Sequence, residues 1–403
     1  LSRRFTHVDL FSGVGGFTLG FEAADRFTTR LLVDSDRSAA ETFKRNRPRV
    51  PFWPKDLSGV KSDELLGLMK LEPGDLDVLT AGPPCQGMSK IGPRQLDDER
   101  NLLLKHTCEL IDAVKPKLAL VENVPALIWD EHSPLFDELS DSLHESGYVP
   151  IPKVLDAWRF GVPQLRRRLI ILAVHEDLAS PSDPFPKGDE SLQFTAQELI
   201  RAATADEPQC PPGLSVEEAI GDLPAIAAGG GAEAMPYPPT EALSDYQHAR
   251  RAEAALLFNH KARDHSPTML KKMAMIEEGG RNQELPDDRR LRADPEREYF
   301  SQAYGRLHRH GIAQTITTYF HNPGSGRFTH YRDLRSLTVR EAARFQSFDD
   351  RYMFTGGGEQ QMRHVGNAVP VLLSAALARM CVELLEGRCV GGAPPTDAVD
   401  AVA

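Results

Sequence analysis

Asp9-Leu10-Phe11-Ser12-Gly13-Val14-Gly15-Gly16 is the stretch on which the fold turns. A short β-like run over 7–11 leads into it, and apolar residues at helical spacing leave it over 17–24. Glycines at a strand-to-helix turn let the backbone approach a ligand, and the helix N-terminus offers free N–H groups. The spacing is not the dinucleotide pattern G-x-G-x-x-G. A tight turn with no ligand would account for these glycines equally well.

The alternation begun here continues. Residues 30–33 read as a second strand and 38–45 as a helix. A third strand over 76–81 runs into Gly82-Pro83-Pro84, and 102–114 form an amphipathic helix. Residues 118–121 read as a strand, 135–144 as a helix and 169–174 as a strand. This order predicts an α/β fold with a parallel, doubly wound sheet. The pattern breaks near Glu176; 179–191 are rich in Ser, Pro and Asp, and 228–240 have linker composition. Residues 337–346 and 371–385 read as helices again. The expected organisation is a catalytic and cofactor-binding domain over 1–175 and a smaller irregular region over 176–335. C-terminal helices follow over 336–389, the last returning to the first domain, and then a disordered tail over 390–403.

With 403 residues, 41% of them hydrophobic, the chain buries a real core. Five irregularly spaced cysteines exclude a disulfide scaffold and point to a reducing compartment. No secretory signal and no run near the ~18 apolar residues of a bilayer span is visible, so the expected location is cytoplasmic. The chain opens on Leu1 rather than Met, which leaves open residues ahead of it. The net charge of −11 argues against coating a polyanion by bulk charge. It is unevenly spread, however: 1–246 carry −14, 247–344 carry +6 and 345–403 carry −3. A solvated basic face and a polyanion-binding surface both fit the middle segment.

Further motifs stand where strands end. Gly82-Pro83-Pro84-Cys85-Gln86-Gly87-Met88-Ser89 places a cysteine in a stiff loop after the third strand. A thiol there can serve as a nucleophile if its pKa is lowered, though position alone leaves a packing role open. Glu122-Asn123-Val124-Pro125 puts a carboxylate after the 118–121 strand, costly there unless paired or used. Asp34 ends the second strand, where an acid can hold ribose hydroxyls, and Asp56 follows a short element. Gln164-Leu165-Arg166-Arg167-Arg168 leads into 169–174. Strand alternation would place Gln164, Arg166 and Arg168 on one face. Gly366-Asn367-Ala368-Val369-Pro370 is expected to open the last helix. His260, His265 and Cys210 lack metal-ligand spacing, so no metal is expected.

In this order the motifs resemble those of the DNA cytosine-5 methyltransferases, over about 7–175 and 300–385. Residues 11–16 are similar to that family's S-adenosylmethionine motif, Pro84-Cys85-Gln86 to its catalytic loop and Glu122-Asn123-Val124 to its carboxylate motif. Gln164-x-Arg166-x-Arg168 matches its Q-x-R-x-R pattern. Residues 335–348 resemble the helix that organises the recognition region, and 366–370 its final motif.

The resemblance implies an S-adenosylmethionine-dependent methyltransferase sheet with a target-recognition domain, and methyl transfer to C5 of a flipped cytosine in duplex DNA. It implies Cys85 as nucleophile at C6, Glu122 at N3 and the exocyclic amine, and Arg166 and Arg168 at O2, a nearby phosphate and the loop. Cofactor contacts fall to Phe11, Ser12, Gly13, Gly15, Gly16, Asp34, Asp56, Pro83, Leu102 and Asn367. Ser35 departs from the pattern, since many relatives place an aromatic residue there. Adenine stacking is then weaker or supplied by another side chain. DNA contacts fall to Gln86, Ser89, Gln164, Arg263, Lys271, Lys272, Arg289, Arg290 and Arg292. The partners implied are double-stranded DNA and a cognate restriction endonuclease or defence-system proteins; no membrane is implied, and the chain is expected to be monomeric. The rival readings are a tRNA cytosine methyltransferase, a catalytically silent DNA-binding homologue and, remotely, a dehydrogenase. About 160 residues between Val174 and Arg335 favour duplex DNA over tRNA.

Overall fold

The computed structural model describes residues 3–84, 101–128, 133–178, 183–190, 192, 198–199, 210–239, 242–282 and 302–388. The expected tail over 390–403 lies outside them. In chain order the first elements are β1 (Phe5–Leu10), α1 (Gly16–Ala23), β2 (Phe27–Asp34), α2 (Arg37–Asn46), β3 (Phe52–Pro54) and α3 (Ser62–Met69). Then come β4 (Val78–Ala81), α4 (Asn101–Val114), β5 (Leu118–Asn123), α5 (Ser133–Glu145), β6 (Tyr148–Asp156), β7 (Gln164–Leu165) and β8 (Arg167–His175). The remainder holds α6 (Val216–Ile220), β9 (Gly231–Met235), α7 (Asp245–Arg251), β10 (Leu257–Lys261) and α8 (Pro267–Ala274). It closes with β11 (Ala313–Gln314), α9 (Val339–Phe345), α10 (Gly358–Asn367) and α11 (Val371–Leu385).

The described residues cluster into two compact units. The first draws on Leu1–Phe160, Arg167–Gly188 and Val371–Pro395. Its seven-stranded sheet has the order β3-β2-β1-β4-β5-β8-β6. Strands β1 to β5 pair in parallel. The sheet is not wholly parallel as expected: β8 runs antiparallel to both β5 and β6. The connection from β6 to β8 is too short for the helical crossover that parallel neighbours need. Central strands such as β4 are buried throughout, which explains their unbroken apolar sequence. The edge strand β6 escapes the sequence reading because Pro150 and Pro152 interrupt its pattern, and an edge is where proline is tolerated.

Helix α11 packs on α1 in this unit: Ser374 Oγ donates to the Phe17 carbonyl at 2.7 Å. A Cβ on Gly20 would lie 2.4 Å from Ser374, so only glycine permits this approach. Gly358–Leu385 is the one stretch among the described residues long and apolar enough to cross a bilayer by length and composition, and 72% of its window is buried. Its α11 part is apolar because it packs on α1. Gly366 and Asn367 close α10 instead of opening the last helix. Pro370 explains the break, because a residue before proline avoids helical geometry.

The second unit draws on Gly161–Arg166 and Asp189–Pro370. It holds an antiparallel β9–β10 pair and a parallel β7–β11 pair. Helix α9 starts with a capping box between Thr338 and Glu341. Arg335 binds both Glu341 oxygens at 2.7 and 2.8 Å and Asp333 at 2.9 Å. Arg344 joins Asp222 at 3.1 Å to Asp350 at 2.6 Å. Burial alone would raise the Glu341 carboxyl, but Arg335 and His330 outweigh it and hold it well below its ordinary range. These arginines lie in the segment whose +6 suggests a basic surface. Arg250, Arg327, Arg335, Arg340 and Arg344 are all buried instead, so that figure overstates the exposed charge.

Candidate active site

The loop from β1 to α1 is shaped by three left-handed residues, Phe11 at φ 52°, Gly13 at φ 51° and Gly15 at φ 80°. The Ser12 N–H donates to the Val33 carbonyl at 3.1 Å, and the Gly13 N–H to Asp34 Oδ2 at 2.8 Å. The other Asp34 oxygen accepts from the Asp36 N–H at 2.8 Å. Burial raises the Asp34 carboxyl, and these two backbone bonds offset only part of the effect. A Cβ on Gly15 would sit 2.5 Å from the Phe43 ring, whereas one on Gly13 would meet nothing within 4 Å. Gly15 is thus required by packing. The space beside Gly13, next to a fixed carboxylate, suits a ligand. Gly16 is the first residue of α1, and Ser12 is 9% exposed.

The ends of β1, β4 and β5 converge. A Cβ built on Gly82 has Glu122 Oε2 and the Phe11 carbonyl oxygen as its nearest neighbours, both at 3.8 Å. Glu122 pairs with Arg168: Nε to Oε1 is 2.6 Å, with the two side chains 14% and 16% exposed. Pro83 is buried, Asp56 is exposed and accepts from the Ser58 N–H at 2.9 Å, and Leu102 is 64% exposed at the start of α4. Cys85, Gln86 and Ser89 lie outside the described residues.

Beneath the glycine loop runs a buried polar chain that the sequence reading missed. Thr18 and Thr80 each donate to Asp9 at 2.8 Å. Since Thr80 spends its proton on Asp9, it accepts from His7 Nε2 at 3.0 Å, and His7 Nδ1 accepts from Thr29 at 3.1 Å. Burial pushes Asp9 up to about 7 and His7 down to about 3. The register partner Asp9↔Thr80 was the only available signal, and it needs the sheet order to be read.

In the second unit Gln164 donates to the Phe345 carbonyl at 2.6 Å and accepts from the Ile316 N–H at 3.0 Å. Arg166, 2% exposed, donates to the carbonyls of Ile316 at 3.0 Å, Gly366 at 3.3 Å and Ala368 at 3.1 Å. The expected alternation over Gln164, Arg166 and Arg168 does not hold across this point. The Arg166 N–H bonds the Gln164 carbonyl at 3.0 Å, and that bend separates β7 from β8. Arg166 therefore serves the second unit, and Arg168 the first. Arg263, Lys271 and Asn367 are exposed and Lys272 is half-buried, all in the second unit. Arg289, Arg290 and Arg292 lie outside the described residues. His260 bonds the Pro224 carbonyl at 2.9 Å, and His265 bonds Ser336 at 3.0 Å.

The family model of C-5 cytosine-specific DNA methylases matches residues 5–383. The type II methyltransferase M1.HphI of Haemophilus parahaemolyticus is 32% identical over 94% of this chain and 87% of its own length. M.DdeI of Desulfomicrobium norvegicum is 30% identical over 92% and 87%. Among solved structures, a protein encoded in an Escherichia coli prophage superposes with a TM-score of 0.70 at 23% identity, covering 95% of this chain and 99% of its own. The S. pombe Dnmt2 methyltransferase does so with 0.58 at 16% identity, over 95% and 99%. The two structural likenesses bear on the fold alone.

Proposed function

Since this chain belongs to the C-5 cytosine-specific DNA methylase family and is a DNA (cytosine-5) methyltransferase, we propose that it takes the methyl group of S-adenosylmethionine. We propose that it delivers this group to C5 of a cytosine flipped out of a specific duplex DNA site. The observation that carries the reading is the meeting of Phe11, Gly82 and Glu122 at the strand ends, with Arg168 on Glu122. Ligand sites of open α/β sheets lie at these ends.

Bound S-adenosylmethionine supplies an electrophilic methyl group. The open space at Gly13 beside Asp34 fits its ribose, and Ser12, Gly15 and Gly16 complete the turn. Asp56 takes the adenine amine, and Phe11, Pro83, Leu102 and Asn367 supply further contacts. The Cys85 thiolate adds to C6 of the cytosine, which makes C5 nucleophilic. Glu122 contacts N3 and the exocyclic amine and favours the protonated ring as sulfur adds. Arg168 fixes that carboxylate and reaches O2. After C5 takes the methyl group, a base removes the C5 proton, the C5–C6 double bond re-forms and the thiolate leaves. Arg166, bound to three carbonyls, acts as a positioning residue. Arg263, Lys271, Lys272, Arg289, Arg290 and Arg292 bind DNA from the recognition region. Gln86, Ser89 and Gln164 contribute around the flipped base. The enzyme works as a cytoplasmic monomer, beside a cognate endonuclease or defence-system proteins.

Bisulfite sequencing of DNA from cells that express the chain tests this reading. It predicts protected cytosines at one recurring site, and none with Cys85→Ser. Labelled methyl transfer to tRNA alone, with duplex DNA inert, would overturn the choice of substrate.

A further inference from the structure

The strand register aligns one row of side chains across the first unit's sheet. It runs Trp53, Val33, Leu10, Ala81, Val121 and Ile171 over β3, β2, β1, β4, β5 and β8. The last five are 0% exposed and belong to one core cluster. Trp53 is the exception: it stands on the edge strand, is only partly buried, and packs against that cluster as Phe11 does. The residues immediately after Val33, Leu10, Ala81 and Val121 are Asp34, Phe11, Gly82 and Glu122. Trp53 is therefore one step before the level of the site, on the edge strand. A smaller aliphatic side chain would close the edge of an otherwise aliphatic row.

The chain around Trp53 adds a second observation. The Lys55 N–H returns to the Trp53 carbonyl at 3.0 Å, a tight bend over Pro54 that leads directly to Asp56. Asp34 follows the register partner of Trp53, and Ser35 beyond it is exposed and offers no ring. A partly buried indole three positions before Asp56 in the chain, on the strand paired with the one that Asp34 ends, has the makings of a nucleoside subsite. The acids take hydroxyl and amine groups, and the ring takes the flat face of a purine. Lys55 Nζ, 5.6 Å from the ring centroid, keeps the indole oriented by a cation–π contact.

We propose that Trp53 is a cofactor-binding residue, the aromatic wall against which the adenine of S-adenosylmethionine packs. This rests on the cofactor reading above. S-adenosylhomocysteine is the probe, titrated by calorimetry into wild type, Trp53→Phe and Trp53→Leu, with tryptophan fluorescence followed in parallel. Wild type binds with quenching. Trp53→Phe keeps affinity within about threefold but loses the quench, and Trp53→Leu weakens binding about tenfold or more. Wild-type affinity in a folded Trp53→Leu protein overturns the proposal. Should that variant not fold, an undiminished quench in Trp53→Phe overturns it instead. Failure of wild type itself to bind the probe rejects the cofactor reading, and the proposal with it.

Discussion

Arg168 Nε lies 2.6 Å from Glu122 Oε1, joining the start of β8 to the end of β5 across the antiparallel seam of the sheet. The register pairs Asn123 with Leu169, so Arg168 is the last β8 residue before the strand passes the end of β5. A guanidinium there fixes the direction of the carboxylate. Glu122→Gln keeps the shape and removes the charge. The expected result is a loss of about 10²–10⁴-fold in the methyl-transfer rate, with little change in melting temperature. Arg168→Lys retains the charge without the planar fork and should fall between wild type and Glu122→Gln. Single-turnover rates with labelled cofactor check both. Equal rates for Glu122→Gln and wild type would remove Glu122 from the chemistry.

Glycine at position 15 is required twice, by its φ of 80° and by the Phe43 ring 2.5 Å from where a Cβ would stand. Gly15→Ala should destabilise the first unit by about 2 kcal/mol or more, through left-handed strain and overpacking together. Gly13→Ala carries the strain alone, since nothing stands within 4 Å of its Cβ position. It should therefore cost about 1 kcal/mol in stability while blocking the cofactor space. Urea unfolding and cofactor binding, measured on both variants, separate packing from binding. If Gly13→Ala bound cofactor normally, the open space beside Asp34 would not be its site.

The sheet was legible because β1, β4, β5 and β8 are buried on both faces and read as apolar runs. The direction of β8 was not legible, because periodicity carries no sense of direction, only the short β6–β8 connection does. Edge strand β6 was lost to its prolines, and β3 was legible only as a short element ahead of Asp56. For the site, a residue's place at a strand end could be read from its motif, and Glu122, Gly82 and Phe11 meet there. The partners were less accessible. Nothing in Gln164-Leu165-Arg166-Arg167-Arg168 reveals that a bend at Arg166 divides the motif between two units. The charge count of 247–344 likewise cannot tell Arg263, at the surface, from Arg335, buried on Glu341.

The buried chain under the glycine loop gives stability an opposed pH dependence. His7 is pushed from 6.5 to about 3, so the folded state resists a proton that the unfolded chain accepts. Its contribution is lost as pH falls below 6.5 toward 3. Asp9 is pushed from 3.8 to about 7, so its proton is held more tightly in the fold. That contribution is complete below 3.8 and lost as pH rises toward 7. Between 3.8 and 6.5 the two slopes have opposite signs, each about 1.4 kcal/mol per pH unit. Asp9→Asn removes one of them. Its stability relative to wild type should improve by about that amount per unit as pH rises across the window. Urea denaturation at several pH values measures the difference. A difference flat with pH would mean that Asp9 does not titrate there.

Exposed and buried cations in the second unit should behave in opposite ways. Arg263 and Lys271 are exposed and Lys272 half-exposed, on a unit in which Arg250, Arg327, Arg335, Arg340 and Arg344 are internal. If these three neutralise phosphates, their joint replacement by Ala should lower the slope of log affinity against log salt by up to about three. The loss should be similar on cognate and random duplexes, with the melting temperature unchanged. Arg344→Met is the contrast. It leaves Asp222 and Asp350 buried without the guanidinium that joins them, and should cost about 3–5 kcal/mol of stability. Its salt slope on DNA, measured where the protein is still folded, should match wild type. A triple variant with an unaltered slope would place the DNA-binding surface elsewhere on the chain, and a lowered slope for Arg344→Met would show that the buried network shapes that surface.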